Sequence, residues 1–242
     1  MTLRAFGSLF GERFGDLPPR VLALHGWGRT RADFDSLLSG YDALAVDLPG
    51  FGASPPPDHA VGAAGYARLM EPVLAEFDVP PVVVGHSFGG RVAVAMAAAR
   101  PESVSGLVLV GVPLLRRVGP KPRAPWKYRL IRGARRLGLI PEERLERARK
   151  EYGSADYRAA SGVMRDILVA AVNETYEGEL GKLTCPVRLV WGERDSAAPL
   201  AIARAALPMI ADGILDIVPE AGHDVHLSHA DRVRAAIDGL LQ

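Results

Sequence analysis

Three side chains in this 242-residue sequence are of the types, and stand in the surroundings, that acyl transfer needs. The first is Ser87, in Gly85-His86-Ser87-Phe88-Gly89-Gly90. This Gly-x-Ser-x-Gly pattern lies between an apolar run, Val82–Val84, and an Ala- and Val-rich stretch beginning at Phe88. A serine in such a strand–turn–helix is held in a strained backbone conformation, with its hydroxyl above the strand end. Gly85 and Gly89 lack β-carbons, so the two elements can crowd together. The helix start also favours developing negative charge. The pattern fixes only three positions, so its weight comes from the flanking elements.

A serine hydroxyl is a poor nucleophile until a base takes its proton. Of six histidines, His223 is the candidate, because Ala221-Gly222-His223-Asp224 reads as a glycine-containing loop after the last apolar run. His25 and His86 belong to other motifs, His59 follows a proline run, and His226 and His229 begin the last helix. The base needs a carboxylate to hold its tautomer and stabilise the imidazolium. Asp195 ends Trp191-Gly192-Glu193-Arg194-Asp195. Taken alone, it is also a common turn or cap residue. Asp224 is sequence-adjacent to His223 and so poorly placed to face its ring. Oxyanion donors are expected from the backbone N–H groups of Trp27, in His25-Gly26-Trp27-Gly28, and of Phe88. Such donors are worth about 3–4 kcal/mol of barrier each.

Elements that could position these residues follow from the apolar pattern. Val21–His25, Ala43–Asp47, Val82–Gly85, Leu107–Gly111, Val187–Gly192 and Ile214–Val218 are short runs apolar on both faces, which predicts buried parallel strands. Helices are predicted from Thr30 to Leu38, Gly65 to Phe77, Phe88 to Arg100 and Asp231 to Leu241. Strands alternating with helices predict an α/β fold with a mostly parallel, doubly wound sheet. Every candidate catalytic residue then falls just past a strand's C-terminal end, where open α/β sheets collect ligands.

The alternation fails after Pro113. Pro113, Pro120, Pro122 and Pro125 introduce a helical stretch, read as a lid over 113–181 inserted between core parts 1–112 and 182–242. Trp126, Leu130, Ala134 and Leu137 share a helical stripe that would face the core and roof the pocket, with Met164, Ile167 and Leu168 lining it; the plainer expectation is that some of these simply pack the lid onto the sheet. From Pro113 to Gly178 there are 15 Lys/Arg and 8 Asp/Glu, a net of +7, leaving −6 elsewhere. Nine of those cations lie between Arg116 and Arg136 without one acid. The plain reading is a solvated face; the sharper one is a docking surface for an anionic substrate, an acidic carrier protein or a membrane surface. In the next helix, Glu143/Arg147 and Glu146/Lys150 are expected as i, i+4 pairs.

Composition sets the outer limits. With 48% hydrophobic and 24% charged residues, the chain reads as an ordinary globular protein. A net charge of +1 gives no reason to expect a nucleic-acid partner. No apolar run is long enough to span a membrane, and the first twenty residues lack a secretory apolar stretch. With the single Cys185, this makes a cytoplasmic location the expectation.

Taken together, His25-Gly26-Trp27-Gly28, Asp47-Leu48-Pro49-Gly50-Phe51-Gly52-Ala53-Ser54, the Ser87 turn, Trp191–Asp195 and Gly222-His223 resemble the α/β-hydrolase superfamily, over nearly the whole chain outside the lid. The resemblance implies an eight-stranded, mainly parallel sheet with a lid after the sixth strand. The chain order Ser87, Asp195, His223 is the order of that fold. A serine at the turn departs from the epoxide-hydrolase and haloalkane-dehalogenase branches, which use aspartate. The Gly-Trp-Gly turn and the Asp-Leu-Pro-Gly-Phe-Gly segment are similar to those of pimeloyl-carrier methyl ester esterases, and carbon–carbon bond hydrolases share much of the pattern. The expectation is a serine hydrolase of a small carboxylic ester, without metal or organic cofactor. Cleavage of a carbon–carbon bond, lactone or thioester by the same residues is the alternative. A non-catalytic ligand-binding role is a third, which the complete triad disfavours.

Overall fold

The computed structural model describes residues 3–116, 125–152 and 154–242. Eight strands form one sheet: β1 (Leu3–Phe6), β2 (Leu9–Phe14), β3 (Val21–Leu24), β4 (Ala43–Asp47), β5 (Val82–His86), β6 (Gly106–Val110), β7 (Val187–Gly192) and β8 (Gly213–Val218). Their order is β1-β2-β4-β3-β5-β6-β7-β8. β1/β2 and β2/β4 pair antiparallel, and all other pairs are parallel.

Period-2 alternation divides the strand residues between two layers. Leu22, Leu24, Val83, Leu107, Leu109, Leu189 and Trp191 face one side and pack with Tyr66, Val92, Met96 and Ile202. Val21, Ala23, Val82, Val84, Val108, Val110 and Val190 face the other and pack with Phe34, Leu37, Leu38, Val233 and Ile237. Each large side chain buried in this way contributes about 1.5–3 kcal/mol. Helices on both faces explain why these strands carry no polar side.

The six predicted strands are present with ends shifted by one residue at most. β1 and β2 carried no such signal. Their ribbon has Glu12 and Arg13 within it, and β1 is exposed along most of its length. Three helix predictions need correction, the simplest being Asp231 to Leu241, which spans Ala230–Asp238. The stretch from Gly65 to Phe77 is broken into Ala63–Leu69 and Glu71–Leu74, because Pro72 cannot donate to the ladder. Arg31–Phe34 is a 3-10 turn, with the α-helix confined to Asp35–Leu38. Thr30 makes no side-chain cap there.

Between β6 and β7 the described elements are all helices: Trp126–Arg136, Glu142–Tyr152, Ala155–Ala159, Gly162–Ala171 and Glu177–Leu180. Pro120, Pro122, Arg117, Lys121 and Arg123 lie outside the described residues. Trp126–Arg136 buries none of its residues, and Trp126, Leu130 and Leu137 are 66%, 62% and 75% exposed. That stripe therefore does not roof a pocket. An amphipathic period specifies an apolar face, not the surface that covers it. Here the helix meets its neighbour through a Tyr128–Tyr152 ring contact and an Arg135–Glu142 ion pair of 2.7 Å. Glu146 is not a simple i, i+4 partner of Lys150 either. It receives Arg149, Arg165 and the Tyr157 hydroxyl, and so ties three of these helices together. No helix among the described residues is long and apolar enough to cross a membrane.

Candidate active site

Parallel register brings the ends of five strands to one edge. Leu24 is level with Gly85, Gly85 with Leu109, Val110 with Val190, and Gly192 with Val218. Hydrogen bonds continue past the strands. Ser87 N–H donates to the Val110 carbonyl (2.9 Å), and Arg194 N–H to that of Ala221 (2.9 Å). The loops carrying Trp27, Ser87, Asp195 and His223 thus leave a common rim.

Ser87 has φ 48° and ψ −110°, and only Glu220 shares a positive φ among the described non-glycine residues. Such backbone costs on the order of 1–3 kcal/mol and persists only when its surroundings enforce it. The enforcement is steric. A β-carbon on Gly85 would lie 2.4 Å from the Gly90 Cα, and one on Gly89 would lie 2.2 Å from the Leu24 carbonyl oxygen. The turn therefore closes only with glycine at both places. Phe88 begins the helix, so its N–H is one of the amides with no acceptor inside the helix.

His223 and Asp195 meet across the rim, with Nδ1 and Oδ2 2.8 Å apart. The Asp195 side chain is completely buried, and its Oδ1 accepts from the Ala197 and Ala198 amides at 2.9 and 2.8 Å. The buried Trp191 indole donates to the Ala198 carbonyl (2.7 Å) and fixes the same loop. With both Asp195 oxygens engaged as acceptors, Nδ1 of His223 is the donor and Nε2 is left to accept a proton. Gly111 (φ 56°) makes room: a β-carbon there would sit 3.0 Å from both Asp195 Oδ2 and His223 Nδ1. Asp224 turns the other way, with Oδ1 3.5 Å from His86 Nε2 and its side chain 47% exposed.

His25 and the Asp47–Ser54 segment support the site without lining the cavity. His25 donates from Nδ1 to the Gly26 carbonyl (2.7 Å) and accepts at Nε2 from the Leu48 amide (2.9 Å). Burial holds its ring below the ordinary imidazole pKa, so it remains neutral in this role. Asp47 accepts from Arg31 and Ala53 amides at 2.9 Å each, and Ser54 links Asp47 to Phe10. Phe51 then meets the Trp27 ring edge-on at 5.0 Å, and Trp27 meets Phe88 at 5.3 Å.

A cavity of about 380 Å³ opens at Ser87, lined by Trp27, Phe88, Leu115, Leu168 and Ile202 among others. Of the five pocket residues expected from sequence, Leu168 alone lines it. Ile167 is fully buried in the core, and Met164 packs beside Gly50 and Tyr66. Trp126 and Leu130 border a separate outer groove with Arg129 and Arg132. Sequence reasoning missed Arg91, Arg116, Asn173 and Glu174, which also line the cavity. For Arg91 a signal existed, since it lies one helical turn after Ser87 and so faces the same side. Its guanidinium bonds the Pro113 (3.2 Å) and Ala171 carbonyls.

Comparison with known proteins agrees with this architecture. The profile of the alpha/beta hydrolase family matches residues 21–236. A pimeloyl-[acyl-carrier protein] methyl ester esterase of Chromobacterium violaceum is 31% identical, over 96% of this chain and 98% of that protein. A 2-hydroxy-6-oxononadienedioate/2-hydroxy-6-oxononatrienedioate hydrolase of Cupriavidus pinatubonensis is 28% identical over 85% of this chain and 78% of that one. In fold, an esterase from Exiguobacterium antarcticum superposes with a TM-score of 0.73 at 20% identity, covering 97% of this chain and 96% of that one. A glycine-enforced serine turn, a buried carboxylate on a histidine and a family match across most of the chain lead to one conclusion: this chain belongs to the α/β-hydrolase family and is a hydrolase.

Proposed function

We propose that the chain hydrolyses a small-molecule carboxylic ester through Ser87, His223 and Asp195. The observation that carries this reading is the 2.8 Å pairing of His223 with a buried, doubly amide-bonded Asp195 at the sheet edge that also carries Ser87. Ser87 Oγ attacks the acyl carbon while His223 Nε2 takes its proton. The Trp27 and Phe88 amides bind the carbonyl oxygen as it becomes negative. His223 returns the proton to the departing alcohol, leaving an ester on Ser87. Water, deprotonated by His223, then releases the acid and restores the serine. Asp195 holds the ring in the tautomer that can accept, and balances its charge when it does.

Relatives named for methyl ester cleavage support an ester in preference to an amide. Those named for acyl-carrier substrates also give the basic lid a use, as a landing surface for an acidic carrier or an anionic acyl group. Of the five cations on Trp126–Arg136, only Arg135 has a carboxylate partner among the described residues. A second reading, hydrolysis of a carbon–carbon bond by the same residues, is favoured by the similarity to dienedioate hydrolases.

A fluorophosphonate probe followed by peptide mapping tests the nucleophile, and the expected adduct is on Ser87 alone. A folded protein that takes no label, or takes it elsewhere, overturns the assignment. A panel of p-nitrophenyl esters beside a vinylogous diketone of the ring-cleavage type then separates the two reactions.

A further inference from the structure

Two histidines behind the triad have no part in the chemistry above. His86 ends β5 and is 2% exposed; His226, in the short helix Val225–Ser228, is 1% exposed. Their rings lie 4.1 Å apart, tilted by 36°. Among the described residues, six buried side-chain polar atoms lack a hydrogen-bond partner, and four of them are the nitrogens of these two rings. Each such atom costs about 1–3 kcal/mol when nothing satisfies it. Two adjacent rings in that condition, in an otherwise well-bonded core, call for a shared partner.

The nearby charges indicate its sign. Asp224 brings Oδ1 to 3.5 Å from His86 Nε2, and its side chain reaches solvent. Asp33 stands 3.6 Å from His226 Nε2 and pairs with Arg29 at 2.6 Å, which offsets the one cation close by. One atom each of His86, Asp224 and His226 falls within 4.8 Å of the others. We infer that His86, Asp224 and His226 bind a divalent transition-metal cation of the zinc type, and that its binding restrains the triad from behind.

The chemistry fits that class. Two imidazole nitrogens and one carboxylate oxygen, with a fourth position for water, suit tetrahedral zinc. Zinc bonds of about 2.0–2.1 Å place donors roughly 3.3 Å apart, near the 3.5 Å already present between His86 and Asp224. His226 must turn its ring to converge on the same point, exchanging the 3.6 Å approach of its Nε2 to Asp33 for the cation. Magnesium and calcium, which prefer oxygen ligands, do not fit this set. The His223 ring lies 4.8 Å from that of His86, and Asp224 is its chain neighbour. Drawing Asp224 onto the cation pulls on the loop that carries His223. Zinc is therefore a reversible inhibitor; that consequence rests on the proposed hydrolase reading, whereas the binding site does not.

Binding is measured on Ser87→Ala protein, so that it is independent of turnover. Calorimetric titration with Zn²⁺ should give one site per chain, and Co²⁺ should develop the strong visible absorption of a four-coordinate ion. Mg²⁺ and Ca²⁺ should give neither. Asp224→Asn, at a solvent-facing position, should weaken Zn²⁺ binding roughly tenfold or more; His226→Gln should abolish it, with circular dichroism to check folding. Adding His223→Ala to the Ser87→Ala protein should leave Zn²⁺ bound. In the Ser87 enzyme, the ratio of activity with and without Zn²⁺ should return toward one in the Asp224→Asn variant. Absence of binding, or binding that survives Asp224→Asn and is lost with His223→Ala, overturns the assignment.

Discussion

Replacing Asp195 by asparagine tests the most specific part of the site. Asp195 Oδ1 accepts two backbone amides and Oδ2 accepts His223 Nδ1–H. Asparagine has one oxygen, and two amide donors outvote one imidazole for it. The NH₂ group then faces His223 Nδ1. The ring answers by moving its proton to Nε2, and the nitrogen needed to receive the Ser87 proton becomes a donor. The counter-charge for the imidazolium is lost as well. In a serine triad that combination lowers kcat about 10⁴-fold, or ~5 kcal/mol of barrier. KM should change little, because the interaction matters chiefly when charge develops on His223. The fold should survive, since both amide bonds remain and no buried charge is left unpaired. The assay is hydrolysis of p-nitrophenyl butyrate alongside thermal unfolding. Asp224→Asn serves as comparison, because that carboxylate points to His86. A loss of less than about tenfold for Asp195→Asn, or a larger loss for Asp224→Asn, refutes the reasoning.

Other outcomes follow from the same geometry. Leu168→Trp should obstruct the cavity and raise KM for longer acyl chains, whereas Trp126→Ala should not, which steady-state kinetics over an ester series will show. Reversal of Arg129, Arg132 and Arg136 to glutamate should raise KM for anionic or carrier-linked acyl substrates and leave small neutral esters alone. That difference should shrink in high salt, where the screening length falls from about 10 Å at 0.1 M to about 3 Å at 1 M. His25, His86 and His226 are held below the ordinary imidazole value of 6.5, chiefly by burial. Below about pH 6.5 the unfolded chain therefore takes up protons that the folded one refuses. Stability should be full above that pH and fall as the pH drops through it toward the lowered folded values, as urea midpoints at successive pH values will record. His226→Leu should flatten the slope, and an unchanged slope would remove His226 from the explanation.

The serine turn of this protein is local enough to be written in its sequence. Gly85, Ser87 and Gly89 sit together because a serine at φ 48° needs neighbours without β-carbons, and that requirement spans five residues. The parallel strands are equally legible, since burial on both faces removes every polar position from Val82–Val84 or Leu107–Val110. The β1–β2 ribbon was not: the edge strand β1 is exposed along most of its length and has no reason to be apolar, and β2 carries Glu12 and Arg13 within a covered strand. Only tertiary structure decides which carboxylate meets His223: Asp195 and Asp224 are both plausible by type, and the choice is made by β7 ending beside β8 and by two amides that aim Asp195 at the ring. The helices between β6 and β7 show the same limit. Periodicity marks Trp126, Leu130 and Leu137 as one stripe, but what a stripe faces depends on how the helix docks, and here it faces outward. The close approach of His86 and His226 is likewise invisible in sequence, since it arises where the end of one strand meets a helix 140 residues later in the chain.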